Sequence, residues 1–164
     1  MKKIPLSQGK VAIVDDEDFD WISKFKWCVA LGNKQKPYAI RGRYKNGTHL
    51  TIRMHREILD TPKGIEGDHI NGDTLDNRRA NLRNCTKLQN SQNRLPQNKK
   101  IGKYKGVTWD SESNKWRAKI RYKRKLHHIG YFVNEIMGAS AYDLKAKELF
   151  GEFARLNFKR EDLS

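Results

Sequence analysis

Asp68-His69-Ile70-Asn71-Gly72-Asp73, running on through Asp76-Asn77-Arg78-Arg79 to Asn81-Leu82-Arg83, is the stretch on which the rest of the chain turns. An acid stands directly before a histidine, a turn-forming Asn-Gly-Asp follows, and an Asn-rich tail continues to Asn90 and Asn93. Small polar residues at this density ordinarily make only a loop. Here they lie between strongly basic regions, which raises a hydrolytic site directed at a phosphate.

Two short extended segments, around Glu66–Ile70 and Leu82–Cys85, flank a loop over residues 71–81. A helix starts near Thr86, a suitable cap, and carries Lys87 to Asn93. In a hairpin followed by a helix, Asp68 on the strand and Asn90 one helical turn in converge on one point. Two oxygen donors of this kind suit a hard divalent cation that keeps several waters and bridges to phosphate oxygens. His69 leaves its strand on the side opposite Asp68. A neutral imidazole there can take a proton from water at neutral pH.

The chain has 164 residues, enough for one ordinary domain or two small ones. Its formal charge is +15, with a pI near 9.9. Between Arg83 and Tyr131 stand 14 Lys and Arg against two acids, Asp110 and Glu112, a net of +12. Such a surface attracts polyanions through phosphate neutralisation and counterion release. Aromatics interleaved with the charge favour nucleic acid over an acidic membrane or a merely solubilising face. No apolar run approaches the roughly 20 residues of a membrane span, and Met1-Lys2-Lys3 leads into no signal-like core. A soluble, intracellular protein is expected. Cys28 and Cys85 form no CxxC pair, which argues against a disulfide framework or a cysteine-built zinc site.

Before the hairpin, residues 10–14 read as a strand. Asp15-Asp16-Glu17-Asp18 then precede Phe19, Trp21, Ile22 and Phe25 at helical spacing. Clustered acids at a helix start serve as cap and dipole partner, with a metal cluster as the rival reading. Strands follow over 27–30, 38–41 and 50–52, with Asn46-Gly47 as a hairpin turn. Met54 to Leu59 is a short helical piece carrying His55 and Arg56.

MHREIL (54–59), DHINGDTLDNRRANLR (68–83) and TKLQNSQN (86–93) resemble the His-Asn-His (HNH) endonucleases of the homing type. IPLSQGKVAIVDDEDFDWISKFKW (4–27) and PYAIRGR (37–43) resemble the amino-terminal part of the same phage and intron enzymes. The resemblance covers Ile4 to Asn93. It implies that Asp68 and Asn90 bind a catalytic Mg²⁺ (or Mn²⁺) and that His69 is the general base. It also implies that Asn81 holds the loop by bonding backbone across the hairpin. Asn90 stands where many relatives have a final histidine, as in the Asn-type homing nickases. For His55, a structural, a phosphate-facing and a catalytic role are all open. Arg78 is either a phosphate clamp or an exposed loop arginine.

Residues 95–102, with a proline, polar residues and a glycine, read as a linker whose Lys99 and Lys100 track a DNA backbone. Beyond it, Lys115-Trp116-Arg117-Ala118-Lys119-Ile120-Arg121-Tyr122 alternates strictly. Lys115, Arg117, Lys119 and Arg121 share one face without acids opposite them. With strands over 104–109 and 125–131 and an amphipathic helix over 136–153, this is a three-stranded antiparallel sheet backed by one helix. YKGVTW (104–109), KWRAKI (115–120), IGYF (129–132) and AYDLKAKELFGEFARLNF (141–158) resemble the APETALA-two (ethylene-response-factor) DNA-binding domain. That resemblance covers Lys103 to Phe158 and implies a sheet lying in the major groove. Onto this chain it carries Lys105, Thr108, Trp109, Lys115, Arg117, Lys119, Arg121, Lys125 and His128 as DNA contacts.

The expectation is therefore an α+β protein. Residues 1–94 form an HNH nuclease domain (a small β-sheet region, then the ββα-metal motif at about 66–94), and residues 103–164 form the DNA-binding domain. Its expected function is metal-dependent, site-preferring cleavage of double-stranded DNA. One HNH centre per chain favours nicking by a monomer, with no membrane or protein partner, in the cytoplasm of the host of a phage or mobile element. The competing readings are a non-catalytic DNA-binding regulator that kept the nuclease fold, and an RNA-binding or RNA-cleaving protein.

Overall fold

A computed structural model describes residues 1–32, 36–93 and 102–158. The protein is α+β, with several small antiparallel sheets and few helices. The backbone divides into two compact units, Met1–Asn90 and Ser91–Ser164. Most of the expected connector over residues 95–102, including Lys99 and Lys100, lies outside the described residues.

In the first unit, β1 (Lys2–Pro5) pairs antiparallel with β2 (Val11–Val14), and α1 (Asp16–Ile22) follows. A second sheet has the order β3 (Cys28–Leu31), β4 (Pro37–Lys45), β5 (Thr48–Arg53). Asn46 and Gly47 turn between the latter two with φ of 50° and 74°. Positive φ at both positions matches the right-handed twist of the strands they join. The five-residue α2 (Met54–Ile58) leads to the hairpin of β6 (Glu66–His69) and β7 (Leu82–Cys85), in the register Asp68↔Arg83 and His69↔Leu82. α3 (Lys87–Gln92) opens on a capping box, in which Thr86 Oγ1 accepts from Gln89 N and Gln89 Oε1 accepts from Thr86 N. Ile4, Val14, Ile22, Trp27, Met54, Ile58 and Leu82 meet in one buried cluster, which fixes the strands and helices beside the hairpin.

In the second unit, β8 (Val107–Asp110), β9 (Lys115–Tyr122) and β10 (Lys125–Phe132) form an antiparallel sheet with β9 in the centre. α4 (Glu135–Phe150), capped by the Asn134 side chain, covers one face with Ala139, Tyr142, Ala146 and Phe150. The helix ends three residues short of the expected Phe153, because Gly151 turns to positive φ and starts a single 3-10 turn. Buried Asp143 on α4 accepts from the backbone of Asn157 and Phe158 and so ties down the segment that follows.

Gly106 makes the closest approach in this unit. Its φ is +79°, and a Cβ there would meet the Tyr142 ring at 2.1 Å and the Lys119 carbonyl oxygen at 2.8 Å. Overpacking and left-handed strain together predict that Gly106→Ala destabilises this unit by about 2–5 kcal/mol. Urea unfolding of the full chain, followed by tryptophan fluorescence, measures it; a change below about 1 kcal/mol would contradict this packing.

Candidate active site and nucleic-acid interface

Strand alternation sorts the hairpin side chains onto two faces. Glu66 and Asp68 leave β6 on one side, together with Arg83 and Cys85 of β7. Asp68 is 7% exposed, and Oδ2 accepts from Arg83 Nε at 3.1 Å and Nη2 at 3.0 Å. Asn90 of α3 reaches the same side, since its Nδ2 donates to Glu66 Oε2. Cys85 lies beneath these groups. Burial, and then the Asp68 and Glu66 carboxylates, push its thiol up to about 11, so it is not a thiolate at neutral pH.

The opposite face carries His69, 4% exposed. Its ring packs edge-on against His55 with centroids 4.8 Å apart, and Tyr38 is 6.2 Å away. His55 rests against Gly67, where a Cβ would come within 2.6 Å of its ring. Burial, the largest cause, and then the His69 ring and nearby arginines hold His55 down to about 3. It is therefore neutral at pH 7. At 3% exposure it packs against the His69 ring inside the fold.

Burial likewise lowers the His69 pKa, with the Asn77 hydrogen bond as the main opposing influence. Asn77 Nδ2 donates to the Leu75 carbonyl at 3.0 Å, so its Oδ1 is the atom that faces His69 Nε2, at 3.3 Å. That orientation makes Nε2 the protonated nitrogen and Nδ1 the basic one. Sequence reasoning placed Asn77 in the loop without a role; two buried polar side chains eight positions apart were the available signal.

The loop between the strands is anchored on several sides. Asn81 Oδ1 accepts from Asn71 N at 2.9 Å, and its Nδ2 donates to the Asp76 carbonyl at 2.8 Å. β2 joins in, with Ile13 N donating to Leu75 O at 2.9 Å and Asn77 N to Ile13 O at 2.8 Å. Arg78 makes two 2.7 Å bonds to the buried Asp76 carboxylate, so its guanidinium is an intraloop partner that neutralises a buried acid. Arg79 N donates to Asp15 Oδ2 at 2.7 Å, while Arg79 Nε and Nη2 grip both oxygens of buried Asp18.

Asp16, Glu17 and Asp18 stand in the first turn of α1, as a dipole partner would, but Asp15 ahead of them is not the side-chain cap the sequence suggested. Asp15 makes no cap bond and serves the loop instead. Spacing along a helix could not reveal a partner more than 60 positions away.

As to a metal, the described residues contain no group of three or more His, Cys, Asp and Glu placed to hold one. With Asp68 Oδ2 held by Arg83 and Asn90 Nδ2 by Glu66, Asp68 Oδ1 and Asn90 Oδ1 would make at most a two-ligand, all-oxygen donor set. That fits a hard cation that fills its remaining positions with water and phosphate.

In the second unit the register separates the expected DNA contacts. Lys115, Arg117, Lys119 and Arg121 share a face with Thr108 of β8 and His128 of β10. Two of the expected contacts fall on the other face. Trp109 pairs with Trp116, ring centroids 5.3 Å apart, and Lys125 pairs with Tyr122, both on the side of α4. The basic face also holds an acid opposite its cations, since Asp110 Oδ1 lies 3.3 Å from Arg117 Nη1. Arg117 Nε and Thr108 Oγ1 are buried without a hydrogen-bond partner among the described residues. Lys105 is drawn inward, and burial lowers its pKa to about 8. Tyr131, exposed beside His128 and opposite Arg117, is a face residue that sequence reasoning passed over.

A further basic surface had gone unmarked. β4 and β5 run beyond the end of β3 as a two-stranded ribbon with Arg43, Tyr44, Lys45 and His49 exposed. No acid occurs between Leu31 and Arg56.

A family model for HNH endonucleases matches residues 60–92, the hairpin and helix just described. Across 150 residues the chain is 32% identical to an uncharacterized HNH endonuclease of Acanthamoeba polyphaga mimivirus, covering 92% of this chain and 76% of that protein. The chain belongs to the HNH endonuclease family. This HNH endonuclease is also 30% identical over 109 residues to Protein 3.8 of Escherichia phage T7, covering 63% of this chain and 88% of that one. A stretch of 57 residues is 46% identical to an ethylene-responsive transcription factor of Arabidopsis thaliana, covering 34% of this chain and 31% of that protein. As an HNH endonuclease the protein is a DNA-cleaving hydrolase, and HNH nucleases as a class depend on a divalent metal. No helix among its described residues is long and apolar enough to cross a membrane.

Proposed function

We propose that this HNH endonuclease is a site-preferring, homing-type nickase of double-stranded DNA, acting as a monomer with Mg²⁺ or Mn²⁺ in the cytoplasm of a cell that hosts a phage or mobile element. One observation carries the reading: Asp68 and His69 are adjacent, buried and held on opposite faces of one short hairpin, with the His69 tautomer fixed by Asn77.

Asp68 and Asn90 would hold the cation, which when bound would supply charge neutralisation at the phosphate and the leaving oxygen. His69 Nδ1 takes a proton from a water whose oxygen attacks phosphorus, while the bond from phosphorus to the leaving oxygen breaks and that oxygen, now a strand-end alkoxide, takes a proton from solvent. Asn77 keeps Nε2 protonated throughout, and Asn81 and Arg79 keep the loop in place. His55 excludes water from the inner side of the ring.

The second unit acts as an APETALA-two-like DNA-binding domain. Its sheet enters the major groove, with Arg117, Lys119 and Arg121 at the centre of the contact. Support comes from the short likeness to the plant factor and from the shared face of these cations. Lys105, Trp109 and Lys125 are left with peripheral or internal roles.

Incubating supercoiled plasmid with the protein, with and without Mg²⁺, tests the whole reading. Open circles are expected to form only with metal, and linear product only later. Retained binding with no cleavage in any divalent metal would leave a DNA-binding regulator instead. Arg117→Ala is expected to weaken duplex binding by about 1–3 kcal/mol, read by gel shift at fixed salt, with RNA competing poorly. Unchanged affinity, or equal competition by RNA, would remove the sheet from the DNA interface.

A further inference from the structure

Glu66 has no part in the site as built so far. It stands two positions before Asp68 on β6, so both carboxylates leave the same face. To that face α3 delivers Asn90, whose backbone N–H donates to Thr86 O at 2.9 Å and whose side-chain Nδ2 donates to Glu66 Oε2 at 2.5 Å.

The two ends of a carboxamide have opposite chemistry. The oxygen binds a cation, whereas the NH₂ group presents only hydrogens and repels one. The ends are nearly equal in size, so packing alone chooses weakly between them. A carboxylate accepts hydrogen bonds and donates none, and therefore it selects the NH₂ end. With Nδ2 committed to Glu66, Oδ1 points away from that carboxylate.

We propose that Glu66 is a positioning residue of the nuclease site, one that holds the Asn90 amide so that Oδ1 rather than Nδ2 is presented to the divalent cation. The proposal rests on the reading of Asn90 as a ligand. A carboxylate that orients a ligand from behind accounts for Asn at this position better than packing does, because a ligand with two unlike ends needs a partner to choose between them.

The test is Mn²⁺ affinity, read from the free-ion EPR signal. It uses the full chain on a random-sequence duplex in the His69→Ala background, so that cutting is too slow to matter over the titration. Glu66→Ala is expected to weaken Mn²⁺ binding by about 10–100-fold. Glu66→Gln, whose amide can accept from Nδ2 or, turned over, donate to Oδ1, is expected to lose the selection and recover only part of the affinity. Asn90→Asp offers oxygen whichever way it turns; in that background Glu66→Ala is expected to cause no loss, and even a gain as two like charges are relieved.

An equal loss from Glu66→Ala in the Asn90→Asp background would overturn the proposal and make Glu66 a ligand itself. No loss in the Asn90 background would also overturn it. Unchanged affinity in Asn90→Ala would defeat the underlying reading of Asn90, and the proposal with it. Melting curves and metal-free duplex binding of each variant are expected to match the parent, which separates orientation from unfolding.

Discussion

Replacing His69 by alanine is expected to slow plasmid nicking by about 10²–10⁴-fold while leaving duplex affinity in the absence of metal unchanged. The size follows from removing the group that accepts the water proton, and the selectivity from its place inside the fold, where it is 4% exposed. Asn77→Ala gives a useful companion. It leaves the imidazole but removes the acceptor that keeps Nε2 protonated, so the rate falls through loss of the correct tautomer and ring orientation. The loss there is smaller than for His69→Ala. Single-turnover nicking measured beside gel-shift affinity separates the two effects. Equal rates for His69→Ala and the parent would end the assignment of His69 as base.

The second large effect is on stability. Arg79→Ala strands the Asp18 carboxylate, whose side chain is 1% exposed, with only the Trp21 indole N–H as a remaining donor among the bonds described. Breaking a buried ion pair by deleting one partner costs about 3–5 kcal/mol, and the half-exposed guanidinium puts this pair near the lower end. Removing the charge as well, in Arg79→Ala with Asp18→Asn, is expected to recover part of the loss, because the amide is far less expensive to bury unpaired. Urea denaturation of the three variants measures both statements. A single Arg79→Ala variant within about 0.5 kcal/mol of the parent would show that the clamp contributes nothing.

Where one short segment contained all the information, the sequence was legible. Asn46-Gly47 announced its hairpin because few residues accept positive φ twice in a row. The strict alternation of residues 115–122 announced a strand with a charged face, and Thr86 announced α3 through its own hydroxyl. The pairing of Asp68 with a histidine of opposite direction followed from the two-residue period of a strand.

What stayed hidden depends on partners far apart in the chain. Asp15 and Asp18 looked like helix-start acids because nothing local tells a cap from a clamp on Arg79. Asp110, one of only two acids in the basic stretch, faces Arg117 because of a cross-strand register that a list of charges does not contain. The same register turned Trp109 and Lys125 to the helix side. His55 is placed by the His69 and Tyr38 rings and by Gly67, whose missing side chain makes room for its ring. The role of Glu66 needed the position of Asn90, 24 residues later.

The long reach between α1 and the loop has a bearing on synthesis. The first carboxylates of the clamp are translated 64 and 61 residues before the guanidinium they bind. A nascent chain that has already closed its first hairpin and helix therefore still lacks the brace on which His69 depends. The loop that follows His69 can be braced by this clamp only after Arg79 has been made.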